Sequence, residues 1–346
     1  MKHERHHWLE KLQVEFAGGA ALAFTFFAVG PMHGWWDPQW PATFVSTGSF
    51  LGLLKFALLV WVLAAVCAAI TVSSRPEGAL LSTLVGAVGV SMHSEPIRVL
   101  FWARPEALGG VFAQLIAELL ILFAVVVVTI HIIRLVRGAM ARVRPDWMWK
   151  GRITAETVAM DSRGHEEPLA EKPQSVSARL LWALSPVGGA FADQADHRRA
   201  VVSPGGESLK RKAELTQMLS CMAATVLCSS IMLMLLMQSS NRGQIIFALM
   251  ASFLLATLIA HQQFATRFSV TAWAAPIITG VLFYALSIAS SGRLGANAWI
   301  KVQFFARALP IDWMTAGGAG GVLGYWLSER VHELKHIERH IENESN

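Results

Sequence analysis

A chain of 346 residues that is 54% hydrophobic and only 15% charged is too apolar for an ordinary soluble domain, in which about a quarter of the residues are charged. The formal net charge is +5 at pH 7, and the placement of Lys and Arg around membrane spans explains this basic balance without nucleic acid. The three cysteines fall in apolar stretches, which excludes a disulfide framework. We therefore expect a membrane protein whose first partner is the lipid bilayer.

Eight apolar stretches are candidates for transmembrane helices, which need about 20 residues to cross the hydrocarbon core. The first, third and eighth are short and cross only if flanking residues extend them. With eight spans both termini share one side, and the excess of Lys and Arg makes that side cytoplasmic, in a protein of the cell membrane. The predicted spans are residues 16–30, 50–72, 78–91, 110–136, 215–237, 245–265, 269–290 and 313–327.

A short motif occurs twice and divides the chain into two similar halves. Residues 97–104 read aliphatic, cation, Val, any residue, Phe, aromatic, Ala and Arg, and residues 300–307 repeat that order. Four spans per half make the halves parallel, related by an axis along the membrane normal. The predicted fold is all-α, with two parallel four-helix repeats and a short interfacial helix on the outer side of each repeat.

The division into parts follows from this repeat. Residues 1–138 form the first half and residues 213–346 form the second half with an amphipathic tail. Between them, residues 139–212 are polar and predict a cytoplasmic linker, partly disordered because its stretch 161–174 is charged and has no apolar period. Residues 176–184 are typical of a short amphipathic helix that lies on the membrane face.

The repeated motif carries two cations per copy, Arg98 and Arg104 in the first and Lys301 and Arg307 in the second. Side chains of this kind often extend toward lipid phosphates, which is the simplest interpretation. The alternative is an anion-binding site or a docking surface at the repeat axis. The sequence leaves both interpretations open.

Glu118 is the single most informative residue, because a carboxylate two turns inside a predicted span costs a few kcal/mol unless it is protonated or partnered. Gln114 lies one turn earlier on the same helix face. The functional hypothesis is a proton or cation relay through Glu118. The alternative is a structural hydrogen bond between helices, with Lys55 of the second span as a candidate partner.

The eighth span contains a run of glycines in which Gly317 and Gly321, and likewise Gly320 and Gly324, are four residues apart. This spacing of small residues permits close approach of another helix backbone. No strand precedes the run, so it is not a dinucleotide-binding loop. We expect these glycines to pack helices together.

The carboxyl-terminal tail contains His332, His336 and His340, one turn apart on a helix, and residues 332–336 match the zinc-peptidase pattern H-E-x-x-H. We interpret the match as a coincidence, because Lys335 and Arg339 place cations at the site and the stretch cannot enclose a catalytic cleft by itself. An interfacial amphipathic tail is the leading interpretation, and zinc binding by these histidines is the alternative. We predict no cofactor, including haem.

The sequence leaves two classes of function. The first is a non-enzymatic subunit or scaffold of a membrane complex, whose partners are other membrane subunits or further copies of the chain. The second is a transporter of a small solute or an ion, possibly coupled to protons or metal, which would use Glu118 and the outer cations. Glu118 has no counterpart in the second half, and this asymmetry favours the subunit.

Overall fold

The computed structural model describes residues 2–29, 41–46, 49–104, 108–143, 206–264, 266, 269–294 and 303–345. Side chains are described for residues 11–29, 41–46, 49–104, 108–143, 214–264, 266, 269–290 and 303–332. Every regular element in these ranges is helical, so the all-α prediction is confirmed. The predicted linker helix at 176–184 lies outside the described residues, and the margins of the predicted linker belong to the two helices that flank it.

The described ranges of the first half contain five α-helices. Apolar side chains dominate four of them, and α1 continues as a π-helical turn, Phe24–Val29. α4 is a six-residue helix at the first copy of the repeated motif. The bounds are α1 Lys2–Ala23, α2 Phe50–Ile70, α3 Pro76–Met92, α4 Arg98–Ala103 and α5 Leu108–Val143.

In the second half, as far as the structure describes it, three long helices precede the final span, and that span is assembled from three pieces. The helices are α6 Gly206–Leu236, α7 Arg242–Gln263 and α8 Val270–Leu294. A single 3-10 turn, Phe304–Ala306, stands at the second copy of the repeated motif. The final span then consists of the helical turn α9 Pro310–Asp312, the π-helical turn Trp313–Gly317 and the helix α10 Gly318–Ser345.

Within the described residues, six helices are long and apolar enough to cross a membrane. The other two predicted spans, α3 and the final span, do not meet these criteria of length and composition. α3 is apolar but has only 17 residues, about 25 Å of helix at 1.5 Å per residue. The last span is divided into α9, the π-helical turn and α10, whose carboxyl half is polar. The six that qualify are Lys11–Val29, Phe50–Ile70, Leu108–Val143, Glu214–Leu236, Arg242–Gln263 and Val270–Ser290.

The two elements that do not qualify lie deepest in the protein. Nearly every side chain of α3 is buried, and residues 308–322 are buried without interruption. α3 packs against α1, α2 and α10, while α10 packs against α7, α8 and α3. α5 of the first half packs against α8 of the second. The bundle therefore has α3 and the final span at its centre, with the more exposed helices around them.

The glycines of the final span lie where helix backbones touch. A Cβ atom added at Gly320, Gly321 or Gly324 would overlap a backbone carbonyl oxygen, that of Met250, Ala272 and Leu254 respectively. A Cβ added at Gly317 would stand 2.8 Å from the Cβ of Pro276 in α8. Only glycine fits at this distance, so the run is the surface along which α10 packs against α7 and α8.

Candidate functional site at the outer end of the bundle

Two buried carboxylates, Glu118 and Asp312, stand at the end of the bundle where α3 finishes and α7 begins. We call this the outer end, after the predicted topology. Both side chains are fully buried. A buried carboxylate must find hydrogen-bond donors and lose or balance its charge. The two residues meet this requirement in different ways.

Glu118 binds the backbone of a distant loop. Its Oε2 accepts hydrogen bonds from the amides of Phe44, at 2.8 Å, and Val45, at 3.0 Å. Its Oε1 is buried and has no hydrogen-bond partner in the part of the chain that the structure describes. α5, the fourth predicted span, is an uninterrupted helix at Glu118. The carboxyl of Glu118 projects from this helix and binds residues more than 70 positions earlier in the chain. Gln114 and Lys55 are not its partners.

The loop bound by Glu118, residues 41–46, has further attachments. The amide of Ala42 donates to Ser94 Oγ at 2.7 Å, just beyond the end of α3. The ring of Phe44 is buried and stacks on Phe56 of α2 at a centroid distance of 5.6 Å. The loop thus closes the outer end of the first half through one carboxylate, one hydroxyl and one aromatic ring.

Asp312 is neutralised by a cation. The guanidinium of Arg242 donates to both of its carboxylate oxygens, at 2.5 and 2.7 Å. Asp312 also accepts the amide of Leu309 at 2.8 Å, which caps the start of the final span. Arg242 donates in addition to the carbonyl of Ser91 at 2.7 Å, so it ties the second half to the end of α3.

Tyr284 of α8 belongs to the same region as the two acids. Its hydroxyl donates to the carbonyl of Ala308 at 2.7 Å, and it is within electrostatic range of both Glu118 and Asp312. Its ring is 6.2 Å from that of Phe112, which precedes Glu118 on α5. The outer site therefore combines α5, α8, α9 and the 41–46 loop in one buried cluster.

The structure brings only some of the predicted outer cations to this region. Arg98 and Arg104 are exposed, and Arg104 donates to Gln114 at 3.4 Å, a long contact on the outside of α5. Arg307 donates to the carbonyl of Met237, and burial lowers the pKa of its guanidinium. Lys301 lies outside the described residues. None of the described members of this set bonds to Glu118, so they form no joint site with it.

A second polar cluster lies at the opposite, inner end. Arg75 of the first half forms an ion pair with Glu329 of α10, which also accepts the hydroxyl of Tyr325 at 2.8 Å. Arg137 of α5 donates to the carbonyls of Thr71 and Ser74, at 2.9 and 2.8 Å. These contacts join the turn between α2 and α3 to both α5 and α10.

His261 completes the inner cluster from α7. Its Nδ1 lies 2.9 Å from Ser328 Oγ and its Nε2 lies 2.8 Å from the carbonyl of Thr266. The ring of His332 is 5.7 Å away, and its Nε2 is buried with no hydrogen-bond partner. The side chains of His336 and His340 lie outside the described residues. Among the side chains that are described, no group of three His, Cys, Asp or Glu could hold a metal ion.

Sequence reasoning selected Glu118 but missed Asp312, Arg242 and His261 as site residues. Asp312 had a usable signal, since an acid two residues after a proline at the start of an apolar run is typical of a helix cap. Arg242 has no comparable signal, because an arginine just before an apolar run is also typical of a membrane edge. Nothing in the local sequence of His261 points to Ser328.

Comparison of the chain with protein-family models, with curated proteins and with solved structures finds no match.

Proposed function

We propose that the protein is a non-enzymatic subunit or scaffold of a membrane complex. The observation that carries the proposal is the packing of the final span, in which Gly320, Gly321 and Gly324 place the backbone of α10 directly on those of α7 and α8. A transporter of the repeat type keeps polar groups and broken helices around a path near the bilayer midplane. Backbone contact along the centre of this bundle favours a rigid body instead.

The use of the buried polar groups supports the same proposal. Asp312 and Arg242 satisfy each other, and Arg242 fastens α3. Arg137 holds the turn after α2, and Tyr284 holds the segment before the final span. Each of these groups fixes one chain segment to another, which is a structural role. A scaffold needs such fixed ends, because they present a constant surface to a partner.

We further propose that the bundle consists of eight crossings in two parallel repeats, with both termini cytoplasmic. A two-fold relation would exchange α3 with α8 and α5 with the final span. It would then convert the contact of α5 with α8 into the contact of the final span with α3, and both contacts occur. The agreement supports a duplication.

The test is native mass spectrometry of the tagged protein, extracted gently from its own membrane at natural abundance. We expect a mass that equals a stoichiometric complex with a different polypeptide. Photo-cross-linking residues at Leu227 and Ile231, exposed on α6, should capture that same polypeptide, whereas one at the buried Leu233 should not. A bare monomer or homo-oligomer that yields only lipid cross-links would contradict the proposal.

A second candidate, an ion transporter, is favoured by one observation. Polar contacts cross between the two halves at both ends, Arg242 to Ser91 at the outer end and Arg75 to Glu329 at the inner end. Closure at both ends is what a transporter shows between its two open states. Proton and sodium flux into proteoliposomes, read with an internal pH dye and with labelled sodium, tests this candidate. Glu329→Gln should change the flux, while Glu15→Gln, in an exposed pair with Lys11, should not.

A further inference from the structure

The Oε1 atom of Glu118 is the most conspicuous unsatisfied group at the outer end. The carboxyl is fully buried, its Oε2 accepts two amides, and its Oε1 has no hydrogen-bond partner among the described residues. Within the described residues, no cationic side chain lies at ion-pair distance from it. Two amide donors favour the charged form, but both bind Oε2, and desolvation disfavours a buried carboxylate whose other oxygen is left without a donor.

Of the described charged and titratable groups on the surrounding elements, none forms an ion pair or a hydrogen bond with Glu118. Asp312 is already paired with Arg242, and the hydroxyl of Tyr284 donates a hydrogen bond to the carbonyl of Ala308. The hydroxyls of the loop and of the end of α3 are neutral. The charged and titratable residues are Arg104 near α5, Lys55 on α2, Tyr284 on α8, and Asp312 with Arg242. The neutral polar residues are Gln114 on α5, Ser91 and Ser94 at the end of α3, and Thr43 and Ser46 in the loop.

A proton fits this place better than a metal ion. A metal cation such as Ca²⁺ takes at least six oxygen ligands, and Mg²⁺ also demands an octahedral shell. Among the described side chains, Glu118 belongs to no group of three His, Cys, Asp or Glu that could supply such a shell. A proton needs no shell. The remaining cost, one unsatisfied O–H group, is smaller than that of a buried unpaired charge.

We propose that Glu118 is a proton-binding site that fastens the outer loop, residues 41–46, to the bundle. The proton is on Oε1 while Oε2 holds the amides of Phe44 and Val45. When the proton leaves, the carboxylate carries a charge that this buried position cannot solvate, and the loop must open to admit water. The loop is therefore closed when the site is protonated and opens as the pH rises. This site is independent of the scaffold proposal.

Hydrogen exchange of the peptide that covers residues 41–46 tests the site directly, because the two amides bound by Glu118 are measured. The full chain is placed in lipid nanodiscs and exchanged over a range of pH, with rates corrected for intrinsic exchange. In the native protein, protection should fall by about tenfold or more as the pH rises. In Glu118→Gln, which is neutral at every pH and keeps an acceptor oxygen, protection should not depend on pH.

Two further variants and one spectrum complete the design. Glu118→Ala should lose the protection at all pH values, and Gln114→Ala, one turn earlier on the outside of α5, should behave as the native protein does. Infrared spectra should show the carbonyl band of a protonated acid in the native protein that Glu118→Gln lacks.

Two results would overturn the proposal. One is an identical pH profile in the native protein and Glu118→Gln, with no difference in the carbonyl band. The other is loop protection that depends on sodium at constant pH, which would make the ligand a metal cation. Glu118→Gln keeps the shape and the acceptor of the native residue, so the test does not depend on whether Glu118→Ala folds.

Discussion

Glu118 and Asp312 are two buried carboxylates at the same end of one bundle, and they are satisfied in opposite ways. Asp312 has a bidentate partner in Arg242 and caps its own helix turn. Among the described residues, Glu118 has two backbone amides and no cation at ion-pair distance. Burial alone therefore does not fix how the charge of an acid is compensated. Arg242 pairs with Asp312, whereas the compensation that we propose at Glu118 is a bound proton.

The largest effect on stability should come from substituting Asp312, the acid that is paired with Arg242. Asp312→Asn keeps an acceptor for the amide of Leu309 but leaves the largely shielded guanidinium of Arg242, 11% exposed, without a counter-charge. Loss of one partner of a buried pair typically costs about 3–5 kcal/mol. We expect a decrease of that size in the free energy of unfolding, measured by sodium dodecyl sulfate titration in mixed micelles. The double variant Arg242→Leu/Asp312→Leu should be less destabilised than Asp312→Asn, because it leaves no unpaired charge. The reverse order would show that the unpaired charge of Arg242 is not the cause of the destabilisation.

A smaller effect should follow from weakening the loop that Glu118 holds. Ser94→Ala removes the acceptor for the amide of Ala42 and should cost about 1 kcal/mol, the value of a typical hydrogen bond. The loss should appear as faster hydrogen exchange in residues 41–46 and not elsewhere. Ser290→Ala, whose hydroxyl bonds only within its own helix, is the matched control. Equal effects of the two changes would mean that Ser94 does not anchor the loop.

The ion pair at the inner end extends the comparison to a partly exposed carboxylate. Glu329→Gln keeps an acceptor for Tyr325 and removes the charge that faces Arg75. Because water reaches both partners, the expected decrease in stability is at most about 1 kcal/mol. High salt should shrink it further, as read from the same detergent titration at two ionic strengths. A loss as large as that of Asp312→Asn would show that this pair is buried in the membrane-bound protein.

The smallest effect should be that of Glu118→Gln. If the native residue carries a proton, Gln replaces it with a neutral group of nearly the same shape that still accepts two amides. We expect a change of less than about 0.5 kcal/mol in the free energy of unfolding at neutral pH. A loss comparable to that of Asp312→Asn would mean that Glu118 is ionised and balanced, and the contrast between the two acids would disappear.

The local properties of the chain determined the fold class. Apolar content over about 20 residues and the scarcity of charge predicted helices in a membrane, and six helices qualify by length and composition. The spacing of Gly317, Gly320, Gly321 and Gly324 marked a surface of close approach, because spacing on one helix is readable from sequence alone. Glu118 stood out for the same reason, since an acid in an apolar run is visible without any neighbour.

The contacts of Glu118, Arg242 and Asp312 could not be predicted from the sequence and are visible only in the folded structure. Glu118 meets amides 74 and 73 residues away, and Arg242 meets Asp312 at a separation of 70. Such pairs depend on which helices are neighbours and on how far each extends, and neither property is encoded in a local pattern. The positions of α3 and the final span depend on their neighbours in the same way. α3 is short and the final span is divided into three pieces, yet both occupy the centre of the bundle because neighbouring helices bury them.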